Sequence, residues 1–327
     1  MTPGPVGRRN FIKSASALSA ASFFGLLPSL QAETLPVKRV GGLFLKTSLN
    51  AYSFDALLKA YLQDSTKGLD LFSLCEFAAQ NGFSAVDLTG YYFPDYPNAP
   101  SDAYINKLKK HLHTLGLNVS GTGVRNDFTS ADKKVREEGV RVTKSWIEVA
   151  AKLGAPVIRV FADSQSPSKN WKESSGNAKR EEVESWMVEC FKSCATHAES
   201  FGVILGIQNH GDFISSGAEH LHLLSAIDSP WCGAIVDTGR YITSNPYDDI
   251  SLMASYAVNW QIKTHVGNKA TSAHTDLTKL VGIIRTSGYR GFLPIETLSL
   301  GRNDYNPLEE VPVFHAQLRK AISELSS

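Results

Sequence analysis

Cysteine is scarce in this chain, with four residues in 327. Cys190 and Cys194 lie four apart inside a helical pattern, where a bridge along one helix would be strained. Cys75 and Cys232 sit in apolar contexts of the kind that hold buried thiols. No CxxC pair and no Cys/His cluster at zinc spacing occurs, so all four are expected to be free structural thiols. An excess of charge is also missing. With 33 basic and 32 acidic residues the formal charge is +1, which gives no electrostatic case for nucleic acid or an anionic surface. After residue 40 there is no Gly/Ser or Pro-rich linker, no charged tail and no low-complexity run. A single large domain is therefore expected, and 43% apolar residues are enough to fill its core.

The first 32 residues differ from the rest. The segment GRRNFIKSASALSAASFFGLLPSLQA carries Arg8, Arg9 and Lys13, then a weakly apolar, Ala/Ser-rich run before the first acid, Glu33. The RRxFIK arrangement resembles a twin-arginine export signal over residues 1–32, cut after Ala32 and implying a periplasmic protein. The alternative is a basic N-terminus with a short apolar helix. The run is too short and too rich in serine for a stable transmembrane helix, so no membrane association is expected once the signal is removed.

From residue 33 to 327 short apolar runs alternate with longer amphipathic ones. The apolar runs are 42–49, 83–88, 117–124, 156–162, 202–208, 232–237, 259–264 and 291–296. Segments such as LDLFSLCEFAAQNG and SDAYINKLKKHLHTLG place apolar residues at helical spacing between them. Glycines at 82, 116, 154, 202 and 288 read as helix C-caps leading into the next strand. Strands separated by helices run parallel and are buried on both faces. Eight such units predict an α/β fold, a closed (β/α)8 TIM barrel in one domain. The rival, a doubly wound open sheet, lacks its Gly-rich phosphate loop after the first strand.

In such barrels the chemistry sits at the C-terminal strand ends. The polar residues expected there are Asn50 and Tyr52, Asp87 and Tyr91, then Arg125, Asn126 and Asp127. Arg159 and Asp163 follow on strand 4, Gln208, Asn209 and His210 on strand 5, and Asp237 on strand 6. Gln261, Lys263 and His265 mark strand 7, and Glu296 marks strand 8. A carboxylate at a buried strand end is costly unless a cation or donors meet it, which singles out Asp237 and Glu296. The plainer reading pairs them with Lys263 or Arg159.

GVILGIQNHGD, GAIVDTGRY, VNWQIKTHV and GFLPIETL, in that order, resemble the xylose-isomerase-like sugar isomerase/epimerase family. That resemblance implies one divalent metal, manganese or magnesium, held by four side chains at the ends of strands 5 to 8. It also implies two Glu residues exchanging protons beside a sugar carbonyl. Asp237 and Glu296 match two ligand positions, whereas Gln208 stands where Glu is usual and Gln261 where His is usual. A Gln carbonyl brings no charge, so a metal held by Asp237 and Glu296 with these amides would be weak or altered. Gln208 also cannot act as a general acid or base, which leaves Glu296 as base and His210 as the second group.

Three readings are open. The first is an exported sugar isomerase/epimerase-like enzyme with Glu296, His210 and Lys263 as catalytic residues. Gln208, Asn209, Gln261, Arg159 and Tyr91 would bind its substrate, a small carbohydrate and by preference a neutral one. A 3-keto-glycoside lyase or hydratase on the same scaffold is the variant of this reading. The second is a non-catalytic sugar-binding protein, with Trp260, Tyr91 or Tyr92 stacking on a pyranose. The third, a metal-assisted hydrolase of the endonuclease type, needs more His and carboxylate ligands than the sequence places.

Overall fold

The inner and outer faces of the strands follow from the two-residue period of a pleat. Along β7, Asn259, Gln261 and Lys263 share one face while Trp260 and Ile262 share the other. A computed structural model describes residues 36–165, 170–267 and 273–326, so the expected export signal lies outside the described residues. Eight parallel strands close into a barrel: β1 (Phe44–Asn50), β2 (Ala85–Thr89), β3 (Asn118–Gly123), β4 (Val157–Phe161), β5 (Ile204–Gln208), β6 (Cys232–Asp237), β7 (Ala257–Lys263) and β10 (Arg290–Glu296). Around the ring β10 lies between β7 and β1. A short antiparallel pair, β8 (His265–Val266) and β9 (Ala273–His274), rises from the mouth after β7. The predicted α/β TIM barrel is the observed fold, and every predicted strand run overlaps a barrel strand.

Helices fill the connections, among them α2 (Leu71–Gln80), α3 (Asp102–Thr114), α4 (Lys133–Leu153), α6 (Arg180–Phe201), α7 (Gly217–Ile227) and α10 (Pro307–Ser326). Their starts are capped: Asp70, Ser101, Asp132 and Ser216 each accept from a backbone N–H of the first turn. All five predicted glycine stops have positive φ, between 69° and 79° for four of them and 65° at Gly202. No described helix is long and apolar enough to cross a membrane.

The outward residues Leu49, Val86, Ile158, Leu205, Ile207, Val236, Trp260, Ile262 and Ile295 are buried against the helices. Trp260 is among them, packed edge-on against Tyr289, so it cannot stack on a ligand in the mouth. Tyr92 is buried as well, with its hydroxyl donating to Asp55 at 2.6 Å. The four thiols are free, and Cys190 and Cys194 are buried along α6 as predicted. Burial pushes the thiols of Cys75, Cys194 and Cys232 up to about 12, which keeps them protonated and inert.

The inner face departs from the apolar filling usual for such barrels. Ser48 and Ser120 share a hydrogen bond of 2.6 Å, and Asn259 donates to the Ser120 carbonyl at 3.1 Å. Above them the interior is occupied by Asn50, Asp87, Arg159, Gln208, Asp237, Gln261, Lys263 and Glu296, all buried. Two ladders around the ring are short. Between β7 and β10 the paired residues are Ile262 with Ile295 and Lys263 with Glu296; between β3 and β4 they are Thr122 with Ile158 and Gly123 with Arg159.

Candidate active site

Strand register places the polar residues at one level. Lys263 is paired with Glu296, Asp237 with Gln261, and Asn50 with Asp87. Because β7 stands between β6 and β10, its Lys263 is delivered between the acids of its two neighbours. Lys263 is 1% exposed, and its ammonium lies 3.4 Å from Asp237 Oδ2, with a closer ion pair to Glu296 Oε1. A buried lysine survives only with such compensation. Asp237, fully buried, also accepts from Gln208 Nε2 at 2.6 Å and from the Gly239 N–H at 3.0 Å.

The amides are engaged too. Gln208 turns its NH2 group to Asp237, and its Oε1 has no partner among the described residues. Gln261 Oε1 accepts from Asn50 Nδ2 at 2.7 Å, while its Nε2 and both Asp87 carboxyl oxygens have no hydrogen-bond partner among the described residues. Asn209, expected to bind substrate, is fully buried and accepts from the Asp237 N–H at 2.8 Å while donating to the Asp237 carbonyl at 2.9 Å. Its hydrogen-bonding groups are committed to the backbone, so it positions Asp237 instead of meeting a ligand.

On the opposite arc, Arg159 Nη2 donates to the Tyr91 hydroxyl at 3.0 Å, and the exposed Arg125 guanidinium lies over the Tyr91 ring. Burial opposes the charge of Arg159, but Tyr91, Asp87 and Glu296 raise it above the ordinary guanidinium value. Burial lifts the Asp87 carboxyl to about 6, against the pull of Arg159. Tyr91 is thus oriented by two arginines, and its ring stands edge-on to Tyr52.

His210 follows β5 and hydrogen-bonds through Nδ1 to the Asp163 carboxylate, just past the end of β4. Asp163 is buried while His210 is partly exposed and reaches a cavity of about 780 Å³ over the barrel mouth. Tyr52, Arg240, His265, Thr297 and Leu300 also line that cavity. Burial, and next the Lys263 ammonium, lower His265 below the ordinary imidazole value. Gly239 lies in the cavity wall, and a Cβ there would come within 3.0 Å of Lys263 Cγ and 3.2 Å of His265 Nε2. A side chain there would crowd both residues.

Asn50, Asp87 and Asp163 had been placed at strand ends by sequence without being assigned a role. Arg240 and Thr297 were missed, although each follows a recognised acid by three residues or one. The metal expected from the resemblance meets a poor fit. Its two carboxylates share an ammonium, Gln208 presents donors, and the Gln261 carbonyl is taken by Asn50. No group of three His, Cys, Asp or Glu placed to hold a metal occurs among the described residues. Hard divalent cations need several free oxygen ligands, and this arrangement does not supply them.

Comparison with solved structures gives the same architecture. D-psicose 3-epimerase from Clostridium cellulolyticum H10, solved with D-tagatose, superposes with a TM-score of 0.66 at 16% identity, covering 85% of this chain and 99% of that one. The 3-keto-D-glucoside 4-epimerase of E. coli gives 0.63 at 14% identity, covering 85% and 99%. The IolI protein, whose structure holds a zinc atom, gives 0.65 at 13% identity, covering 85% and 98%. No curated protein matches the sequence. Residues 75–313 match the family described as xylose isomerase-like TIM barrel, with the paired acids and amides of β5 to β10 inside that span. By this match and by its barrel, the chain belongs to the xylose isomerase-like TIM barrel family.

Proposed function

We propose that the chain is an exported sugar isomerase/epimerase that removes a proton from the carbon beside a sugar carbonyl. The observation that carries this reading is the pairing of Glu296 with Lys263, which adjoin the cavity-lining Thr297 and Gly239. Family membership and epimerases among the structural neighbours support the class. The RRxFIK segment supports export.

Lys263 has three N–H donors, and two face Glu296 and Asp237. The third meets the substrate carbonyl oxygen. Glu296 takes the proton from the adjacent carbon, the C–H bond breaks, and its electron pair moves onto the oxygen as an enediolate. Return of that proton to the former carbonyl carbon, with the neighbouring hydroxyl proton passing to the first oxygen, gives the isomer. Delivery from the His210 side gives the epimer, with Asp163 fixing the imidazole. Tyr91, held by Arg159, and the free Oε1 of Gln208 orient sugar hydroxyls. Asp237 holds Lys263 in place.

A second reading is elimination from a 3-keto-glycoside, using the same base. The apolar side of the cavity, with Leu57, Ile242, Leu300 and Leu308, supports a glycoside bearing an apolar aglycone.

The test incubates the protein with ketohexoses and 3-keto-glucosides in D2O and follows carbon-bound hydrogen exchange by NMR. Exchange in the wild type and a loss of about 10²–10⁴-fold in Glu296→Gln is expected. Unchanged exchange in that variant would remove Glu296 as the base. Elimination appears instead as release of the aglycone.

A further inference from the structure

Metal-dependent proton transfer next to a carbonyl requires a fixed positive charge beside the developing oxyanion. In this barrel the point between Asp237 and Glu296 is taken by a side chain. Lys263 is 1% exposed, and its Nζ lies 3.4 Å from Asp237 and is paired more closely with Glu296. We propose that Lys263 is the resident cation of the site and stands in for a divalent metal, so that the protein works without one.

Three independent features point the same way. First, the negative charge is already largely offset: Lys263 and Arg159 are buried together with Asp87, Asp237 and Glu296, two cations against three carboxylates. A divalent ion added to both cations would leave excess positive charge in a buried ring. Second, Gln208 presents its NH2 group to Asp237 and so sides with the lysine as a donor. A carboxylate at residue 208 would carry a charge needing a second cation. Third, the Gln261 carbonyl accepts from Asn50, two strands away around the ring, and is therefore not free for a metal. The two neutral amides, with the lysine seated between the acids, therefore suit a monovalent centre better than a divalent one.

The inference rests on the proposed reaction for its purpose but is tested without turnover. Untagged wild-type protein is analysed for manganese, magnesium, zinc and iron by mass spectrometry, and its melting temperature is read with manganese, with zinc and with EDTA. Substoichiometric metal and an unmoved melting temperature are expected. Stoichiometric metal, or a fall of about 5 °C or more on chelation, overturns the proposal. In a second arm the ligand set is restored by combining Lys263→Met with Gln208→Glu and Gln261→His. That variant is expected to take up one manganese or zinc and to melt about 5 °C or more higher with the metal than with EDTA. A folded variant that gains no metal shows that Lys263 does not occupy the metal's position, and the proposal fails. If the variant does not fold at all, the wild-type measurement decides alone. Failure of the proton-transfer reading leaves both arms intact, because neither reads activity.

Discussion

The Asn209 side chain clasps the Asp237 peptide at both ends, accepting from its N–H at 2.8 Å and donating to its carbonyl at 2.9 Å. The two residues sit at the ends of adjacent strands, so the clasp fixes the height at which Asp237 enters the barrel. Replacement by alanine leaves the Asp237 N–H without this partner and its carbonyl with the Arg240 N–H at 3.3 Å. Asn209→Ala is expected to lower unfolding free energy by about 1–3 kcal/mol, measured by urea titration. Asn209→Asp keeps the acceptor but sets a carboxylate against the Asp237 carbonyl, and it should be no milder.

Lys263→Met leaves Asp237 and Glu296 as neighbouring buried acids with no cation between them. Loss of about 3–5 kcal/mol is expected at neutral pH by chemical denaturation. Adding Glu296→Gln should recover part of it. A double-mutant cycle with no coupling between the two positions would contradict the buried pair.

His220 supplies a pH dependence far from the reaction. Its ring is fully buried, with Nε2 near the Ile207 carbonyl at 3.0 Å and Nδ1 near the Tyr241 hydroxyl at 2.9 Å. Burial lowers it from 6.5 to about 4. The unfolded chain therefore binds the proton more readily, and stability present above pH 6.5 is lost as pH falls toward 4, by about 3 kcal/mol in full. Asp87 acts in the opposite sense. Its carboxyl rises from 3.8 to about 6, so stability is greatest below 3.8 and declines as pH climbs through 6. His220→Gln should flatten the acid side of a stability–pH curve, and Asp87→Asn should flatten the decline toward neutrality. Denaturation midpoints from pH 3 to 8, referenced to the shifts above, check both.

On the proposed reaction, His210 and Asp163 are expected to separate inversion from proton removal. His210→Gln should reduce formation of the epimer by about 10²–10⁴-fold while hydrogen exchange driven by Glu296 continues. Asp163→Asn should lower kcat less, with KM little changed, since the ring is still present but badly oriented. Equal loss of exchange and inversion in His210→Gln would place both steps on one group.

Export is tested by replacing Arg8 and Arg9 with lysine. Fractionation should find the chain retained as an uncut precursor, whereas the unaltered sequence is delivered to the periplasm. Equal distribution of the two would refute the twin-arginine reading.

Much of the barrel is legible from local pattern, because apolar runs and glycine stops such as Gly154 and Gly202 encode strand and helix ends directly. The ring of site positions is legible for the same reason: a polar residue closing an apolar run has few other places to go. The outward aim of Trp260 was available from the pleat, since Gln261 and Lys263 must face inward together. What a single sequence does not carry is the meeting of distant side chains. Asp163 and His210 are 47 residues apart, and their contact depends on β4 and β5 lying side by side. Nor does it carry the orientation of an amide. Whether Gln208 offers its carbonyl or its NH2 group is decided by Asp237, and that choice separates a ligand from a donor.

The short ladder between β7 and β10 gives the Lys263–Glu296 pair a second task. Those strands are joined through Ile262 with Ile295 and through the two charged residues themselves. The seam that shuts the ring and the proposed proton-transfer pair thus share two residues. A barrel that opened at that seam would also separate the pair, so partly opened chains are expected to be inactive.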